Sequence, residues 1–187
     1  EAIDVLAGRV SGPLMTVSLA LGAQMLLRAN AAQTVEKAEM KLQDALCSGK
    51  GLEKLRQMIA AQHGDPRVCD DVTLLPQASV VADVPAPTAG VLQSMDTTAL
   101  GEVAQHMGAG RLQKTDRIDP AVGFVLRHRI GDRVEKGEPL ATVYARTRES
   151  AKLAAEGIRQ AITLGNEPTP PLQLIHAVVE AEKITRI

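Results

Sequence analysis

Apolar residues recur at helical spacing through the first third of the chain. Residues 14–28 are apolar on nearly every side, which predicts a buried helix there. A second helix is predicted to begin after Thr34, a capping residue type, and to end at Gly49. A third ends before the break at Pro66. Residues 1–66 are therefore predicted to be helical.

From residue 74 onward the pattern changes to short runs rich in β-branched residues, which predict strands. The predicted strands cover residues 79–84, 91–95, 124–129, 139–146 and 172–180. A short helix is predicted to start at Asp96 or Thr97, and a longer one to be capped by Thr147 and to stop at Gly165. Two helices are thus interleaved with the strands.

This order of elements predicts an α+β fold with two parts. Residues 1–73 form a helical segment, and residues 74–187 form a mixed β domain with a barrel-sandwich-like arrangement and the two interleaved helices. Of the 187 residues, 45% are hydrophobic and only Phe124 and Tyr144 are aromatic. The core must therefore consist of aliphatic side chains, which fill space only where backbones approach closely.

Charge and composition exclude several classes of protein. The net charge is −1 with both signs interspersed, which does not suggest a nucleic-acid or acidic-membrane partner. The longest uncharged run, residues 10–27, contains too many polar residues for a membrane span, and no signal peptide opens the chain. Cys47 and Cys69 form no CxxC pattern, which favours free thiols. We expect a cytoplasmic protein that binds neither membrane nor nucleic acid.

Gly108-Ala109-Gly110-Arg111 is the candidate for binding chemistry. Successive glycines expose backbone amides and an arginine adds a fork of donors, so the loop can cradle an anion. A helix stop followed by a solvated arginine explains the same residues, and both interpretations stay open. Asp119, further along, is expected to fix a turn at Pro120 through its side chain. No catalytic residue is assigned.

The turn at residues 131–141 resembles one that recurs in biotinyl and lipoyl barrels. Gly131 and Gly137 permit turn conformations, while Val134 and Leu140 are expected to point into a small β core. A stand-alone barrel that acts as a carrier or interaction module is therefore an alternative. Such carriers present a lysine within Met-Lys-Met or Asp-Lys, and neither pattern occurs; Lys136 lies inside the turn.

A longer set of motifs resembles another family over nearly the whole chain. The set comprises Glu1-Ala2-Ile3, Met58-Ile59-Ala60-Ala61-Gln62, Ala86-Pro87-Thr88-Ala89-Gly90-Val91, Met95-Asp96-Thr97, Leu100-Gly101, Met107-Gly108-Ala109-Gly110-Arg111, Ile118-Asp119-Pro120-Ala121-Val122-Gly123, Gly131-Asp132-Arg133-Val134 and Ala154-Ala155. In this order they resemble the C-terminal portion of the bacterial pyrimidine-nucleoside phosphorylases, the family of thymidine phosphorylase.

The resemblance implies a pentosyltransferase of nucleoside salvage. Inorganic phosphate, the co-substrate, displaces the base of thymidine or uridine and gives a pentose 1-phosphate, with no further cofactor required. The family's phosphate-binding and base-binding motifs lie in the N-terminal half and have no counterpart in this chain. The loop with Gly108, Gly110 and Arg111 is then expected to form one wall of the substrate cleft.

The resemblance also implies a homodimer and a cation. The family dimerises mainly through N-terminal helices, and a glutamate that matches Glu1 helps to hold a structural potassium ion together with ligands outside this chain. Because the chain opens without Met in what resembles the last turns of a helix, we expect a fragment that is catalytically inactive alone.

Overall fold

The computed structural model describes residues 1–179 and 183–186. By its internal contacts the chain divides into two compact units. The first unit is Glu1–Leu74 together with Gln173–Ile187, and the second is Leu75–Leu172. Helices and small antiparallel sheets alternate along the chain, so the predicted α+β class is confirmed. The domain limits at 1–73 and 74–187 stay a prediction.

The first unit consists mainly of helices. They are α1 (Ala2–Leu6), α2 (Pro13–Arg28), α3 (Val35–Cys47) and α4 (Lys50–Ala61), followed by 3₁₀ turns at Pro66–Cys69 and Val72–Leu74. The predicted cap is confirmed, since the Thr34 hydroxyl accepts a hydrogen bond of 3.3 Å from the Lys37 N–H. Gly49 lies between α3 and α4 with φ of 72°, a left-handed conformation that suits glycine.

The prediction that α2 is buried is wrong for the described residues. Ala23 is its one fully buried residue, whereas Leu21 and Met25 are 61% and 71% exposed. The small cluster around Ala23, Ala32 and Ala38 covers only the side of α2 that faces α3. An all-round apolar sequence shows that a helix can be buried, but the number of neighbours that pack against it decides whether it is.

The second unit contains two antiparallel sheets and two helices. Its elements are β1 (Val80–Pro85), β2 (Gly90–Met95), α5 (Thr97–Ala104), β3 (Gly123–Leu126), β4 (Arg133–Val134), β5 (Pro139–Ala145), α6 (Arg148–Ala161) and β6 (Ile162–Gly165). One sheet has the order β1-β5-β3 and the other β4-β2-β6, and within the described chain they do not close into one barrel. The predicted helices α5 and α6 are confirmed.

A single core fills this second unit. Val84, Leu92, Val134 and Leu140 come from both sheets and are at most 1% exposed, so the predicted inward orientation of the last two is confirmed. Ala151, Ala154 and Ile158 of α6 complete one side of this core. The small side chains allow α6 to lie close to the strands, as a core without large aromatics requires.

The predicted ends of one strand and one helix need correction. The strand predicted at 124–129 ends at Leu126, because Arg129 already belongs to the following turn, where its N–H donates to the Asp132 carboxylate at 2.7 Å. The helix predicted to run to Gly165 ends at Ala161 instead, and β6 pairs with β2. Ile162 and Thr163 are β-branched, so they favour a strand over another helical turn.

The last predicted strand, residues 172–180, is shorter in the structure. It is β7 (Ala177–Val179), which pairs with β8 (Ile184–Arg186); Glu180 lies outside the described residues. Among the helices that the structure describes, none combines the length and the apolar character that crossing a membrane requires.

Candidate functional site

The candidate loop starts where α5 ends. Asp96 caps α5 by accepting a hydrogen bond of 3.0 Å from the Ala99 N–H, and a π-type turn, Gln105–Ala109, continues the helix. Gly108 in this turn has φ of 99°, outside the helical range, so the predicted helix stop at this glycine is confirmed. Gly110 is extended, with φ of −138°, and the chain leaves the helix there.

Backbone amides of the loop are bound by the loop's own carboxylate. The Asp116 Oδ2 atom accepts hydrogen bonds from the Leu112 N–H at 3.1 Å and the Gln113 N–H at 2.8 Å. The Gln105 side-chain amide donates to the carbonyl of Arg111. The amides of Leu112 and Gln113 are therefore already engaged within the loop.

Three basic side chains of the loop are accessible. Arg111, Lys114 and Arg117 are all exposed. Within residues 1–179 and 183–186, none of the three side chains takes part in a hydrogen bond or ion pair of the structure. The loop thus presents three cations without a partner among the described residues, and only Gly110 separates Arg111 from the end of the π-type turn.

The base of the loop is fastened at Asp119. Its N–H donates to the Gly108 carbonyl at 2.9 Å, which joins the two ends of the loop. Its Oδ1 atom accepts from the Ala121 N–H at 3.0 Å, so the predicted role of Asp119 in the turn at Pro120 is confirmed. The sequence did not reveal a second partner: Arg146 donates from Nε to Oδ2 at 2.6 Å and from Nη2 to Oδ1 at 2.7 Å.

This arginine–carboxylate pair is ionised around neutral pH. Hydrogen bonds from Arg146 first, and then from the Ala121 N–H, hold the pKa of the Asp119 carboxyl below its ordinary value. The same pair raises the pKa of the Arg146 guanidinium. No local pattern announces the pair, because 27 positions separate its partners.

A groove of about 640 Å³ lies between α5 and α6. His106 and Met107, from the turn before the loop, line one end, and Ala154 and Gly157 of α6 belong to its floor. The residues Gly108, Gly110 and Arg111 are not among those that line it. The groove therefore adjoins the candidate loop without including its glycines and arginine.

The predicted cation contact at Glu1 stays a prediction, since its other ligands are expected outside this chain. Glu1 is exposed, directly precedes α1, and makes no side-chain capping bond. Across residues 1–179 and 183–186, no three His, Cys, Asp or Glu side chains converge as a metal site would require. One exposed carboxylate provides too few oxygens for a cation, so the described residues alone do not fit a potassium ion.

Three basic residues, Arg127, His128 and Arg129, precede the barrel-like turn, and Arg127 makes hydrogen bonds within the first sheet. Arg127 donates from Nε and Nη2 to the Thr142 hydroxyl oxygen at 3.0 and 2.8 Å, and that hydroxyl donates to Asp83 at 2.8 Å. Thr142 is 4% exposed. Arg127 thus satisfies a buried hydroxyl that lies 15 positions away, a role that no local sequence pattern indicates.

The barrel-like turn has the backbone conformation that its glycines predict. Gly131 and Gly137 have φ of 97° and 86°, so their predicted turn conformations are confirmed. Lys136 is exposed between them, in a turn that Glu138 closes by accepting from the Glu135 N–H at 2.8 Å.

Comparison with known proteins finds the similarity that the motifs indicate. A family profile described as pyrimidine nucleoside phosphorylase C-terminal domain matches residues 91–165, the segment from β2 to the end of β6 that contains the candidate loop. The pyrimidine-nucleoside phosphorylase of Bacillus subtilis (strain 168) is 41% identical over 179 residues, which cover 96% of this chain and 41% of that protein. The enzyme of the same name from Staphylococcus aureus (strain USA300) is 38% identical over the same share of each chain. The chain spans about two fifths of the length of the curated relatives it matches. Over nearly its whole length the chain is therefore similar to a part of the pyrimidine-nucleoside phosphorylases that includes their C-terminal domain.

Proposed function

We propose that this chain is part of a pyrimidine-nucleoside phosphorylase, a transferase that moves a pentosyl group from a pyrimidine base to inorganic phosphate. A phosphate oxygen forms a bond to C1′ of the sugar while the bond from C1′ to the base nitrogen breaks. The base leaves with the electron pair and takes up a proton. The similarity over 96% of the chain to enzymes of this name carries the proposal.

In this proposal the chain supplies one wall of the substrate cleft. Charge develops on the base and the sugar in the transition state, and preorganised cations and hydrogen-bond donors stabilise it. The exposed guanidinium of Arg111 suits the wall of an anion-binding cleft, since it has no partner among the described residues. The groups that hold phosphate and base belong to other parts of the polypeptide, so residues 1–187 alone are inactive.

Further parts of the proposal concern the whole protein. It is a cytoplasmic homodimer that pairs through helices outside this chain, and any potassium ion near Glu1 takes its remaining ligands from outside as well. Residues 1–73 complete a larger domain, and residues 74–187 form the smaller one. The two three-stranded sheets make up a barrel-sandwich arrangement; their shared core, with Leu92 from one and Leu140 from the other, supports this.

The reaction is tested with the complete polypeptide. We expect release of thymine from thymidine or uracil from uridine only when inorganic phosphate is present, with one pentose 1-phosphate formed per base. Omission of phosphate is the control. If phosphate leaves the rate of base release unchanged, or neither nucleoside is cleaved, the proposal is wrong.

The loop is tested with Arg111→Ala in the complete polypeptide. Removal of one preorganised cation from a charge-stabilising site costs about 10²–10³-fold at most, and a loop that acts by closure loses less, so we expect a fall in kcat/KM of about tenfold. Arg133→Ala removes another exposed arginine, from the barrel-like turn, and serves as the control. Unchanged kcat and KM in Arg111→Ala would show that Arg111 and its loop do not contribute to the substrate cleft.

The carrier alternative predicts a covalent group instead. Lys136 is the exposed lysine of the barrel-like turn. An intact mass that shows a biotinyl or lipoyl addition there would favour that alternative, whereas an unmodified protein with phosphate-dependent cleavage would reject it.

A further inference from the structure

The loop at residues 109–118 is tied to the second unit at its ends and at the Arg111 carbonyl, which accepts from the Gln105 side-chain amide. Gly108 and Asp119 are joined by a backbone hydrogen bond of 2.9 Å. Among the described residues, no hydrogen bond or ion pair links residues 112–118 to any other segment of the chain. Leu112 and Ile118 are 58% and 50% exposed, so apolar packing also holds the loop weakly.

Arg146 fastens the base of this loop to the sheet. It directly follows β5 and directly precedes Thr147, which caps α6 by accepting from the Ser150 N–H at 3.1 Å. Its backbone therefore lies at a junction of two regular elements. Its guanidinium also donates from Nη1 to the Gln77 carbonyl at 2.9 Å, on the segment that leads into β1.

One guanidinium thus connects three segments through a planar fork. Two of its nitrogens bind both oxygens of Asp119 and a third binds Gln77. A bidentate arginine–carboxylate pair fixes orientation as well as distance, which an ammonium group cannot do. With side chains 48% and 28% exposed, Arg146 and Asp119 are partly shielded from solvent, which limits screening of their attraction.

We propose that Asp119 and Arg146 are positioning residues: together they hold the base of the loop and thereby set the position of Arg111. Where turnover is concerned, this inference rests on the proposed function. The pair does not touch the substrate. The pair restricts the orientations that the loop adopts before it closes. Placing Arg111 at the substrate cleft therefore costs less conformational entropy.

The first test measures loop mobility and needs no activity. Trypsin cuts after Arg111, Lys114 and Arg117, and the cleavage rate follows how often the loop opens. We expect Arg146→Gln, which leaves the loop sequence intact, to accelerate cleavage at these sites by about fivefold or more. The cleavage rate of Arg146→Lys should lie between those of the unchanged protein and Arg146→Gln, because lysine retains the charge but lacks the planar fork of donors. In Arg133→Gln, a matched change at an exposed arginine, trypsin should cleave the loop at the original rate.

The second test asks whether the pair acts through Arg111. In the complete enzyme, Arg146→Gln should lower kcat/KM severalfold, whereas in an Arg111→Ala background it should change kcat/KM by less than about twofold. Additive losses would mean that the pair acts otherwise. If the protein cleaves no nucleoside, the proposed function fails while the trypsin result still decides the positioning role.

The outcome that overturns the inference is a folded Arg146→Gln protein whose loop is cleaved at the original rate. Circular dichroism establishes that the variant is folded. Should Arg146→Gln fail to fold, Asp119→Asn is the second variant, since it retains an acceptor for the Ala121 N–H. We expect faster amide hydrogen exchange at residues 109–118 in this variant. Unchanged exchange at residues 109–118 in that variant would also overturn the inference.

Discussion

Gly157 and Gly101 are both helical, yet their surroundings differ. A Cβ atom built on Gly157 of α6 would lie 2.5 Å from the Val103 Cγ2 atom of α5, closer than van der Waals contact permits. A Cβ atom on Gly101 would meet nothing within 4 Å. One glycine therefore permits two helices to approach, whereas the other only adds conformational freedom to the unfolded chain.

We expect the two alanine substitutions to have opposite effects on the free energy of unfolding. Gly101→Ala should raise it by about 0.5–1 kcal/mol, because alanine favours the helix. Gly157→Ala should lower it by about 1–3 kcal/mol through overpacking. Urea denaturation measures both, and Val103→Ala added to Gly157→Ala should recover part of the loss. Equal effects of the two single changes would show that α5 and α6 do not approach here.

Residue contacts that span few positions were predictable from the sequence. Thr34 and Thr147 cap their helices as expected, because each hydroxyl reaches an N–H three residues ahead. The bond from Asp119 to Ala121 is local in the same way. Arg146 was not recognisable as the partner of Asp119, since only the folded sheet brings the two together. The candidate loop could therefore be located from its glycines, but not the side chain that holds it.

Arg56 of α4 holds the 3₁₀ turn Pro66–Cys69 through three hydrogen bonds. Arg56 donates to both oxygens of Asp70 at 2.7 Å and to the Pro66 carbonyl at 3.3 Å. The turn buries Cys69, which is 2% exposed, whereas Cys47 is exposed. The accessibility of the Cys69 thiol therefore reports whether the turn stays on the helix.

We expect Arg56→Gln to make Cys69 react about tenfold faster with a thiol reagent, because local opening governs access to a buried group. The rate is measured with Ellman's reagent in a Cys47→Ser background. Arg67→Gln is the matched control, since Arg67 pairs with Asp65 inside the same turn and does not reach α4. A faster reaction in the control variant as well would mean that Arg56 has no special role.

Element boundaries were harder to predict than element types. The strand pattern at 162–164 was included in α6, because the alanine-rich helix runs into it without glycine or proline between them. Burial of α2 was misjudged for another reason: apolar content shows what a helix can bury, not how many partners it has. Both errors concern contacts between elements, which a pattern along one segment does not contain.

The two compact units differ in their cores. The second unit, Leu75–Leu172, is continuous in sequence and has a core with fully buried Leu92, Leu140 and Ile158. The core cluster of the first unit consists of Ala23, Ala32 and Ala38, with partly buried leucines around it. Larger buried side chains contribute more to stability, so we expect the second unit to be the more stable one.

We expect residues 75–172, produced alone, to unfold in one cooperative thermal transition. Residues 1–74 alone should bind a hydrophobic dye such as ANS, because Leu21, Met25 and Met40 are more than 60% exposed in the first unit. Circular dichroism and dye fluorescence measure the two properties. A non-cooperative transition for residues 75–172 would show that the second unit depends on other parts of the protein.

The direct junction between α6 and β6 restricts where the chain tolerates a change of length. Ala161 ends the helix and Ile162 begins the strand, both are buried, and the Ala161 carbonyl accepts a hydrogen bond of 2.8 Å from the Asp96 N–H. One residue inserted there would rotate the helix by about 100° relative to the strand, or would turn the buried Ile162 side chain outward. A peptide tag or a single-residue insertion is therefore better placed in the exposed residues 166–168, which lie outside every helix and strand.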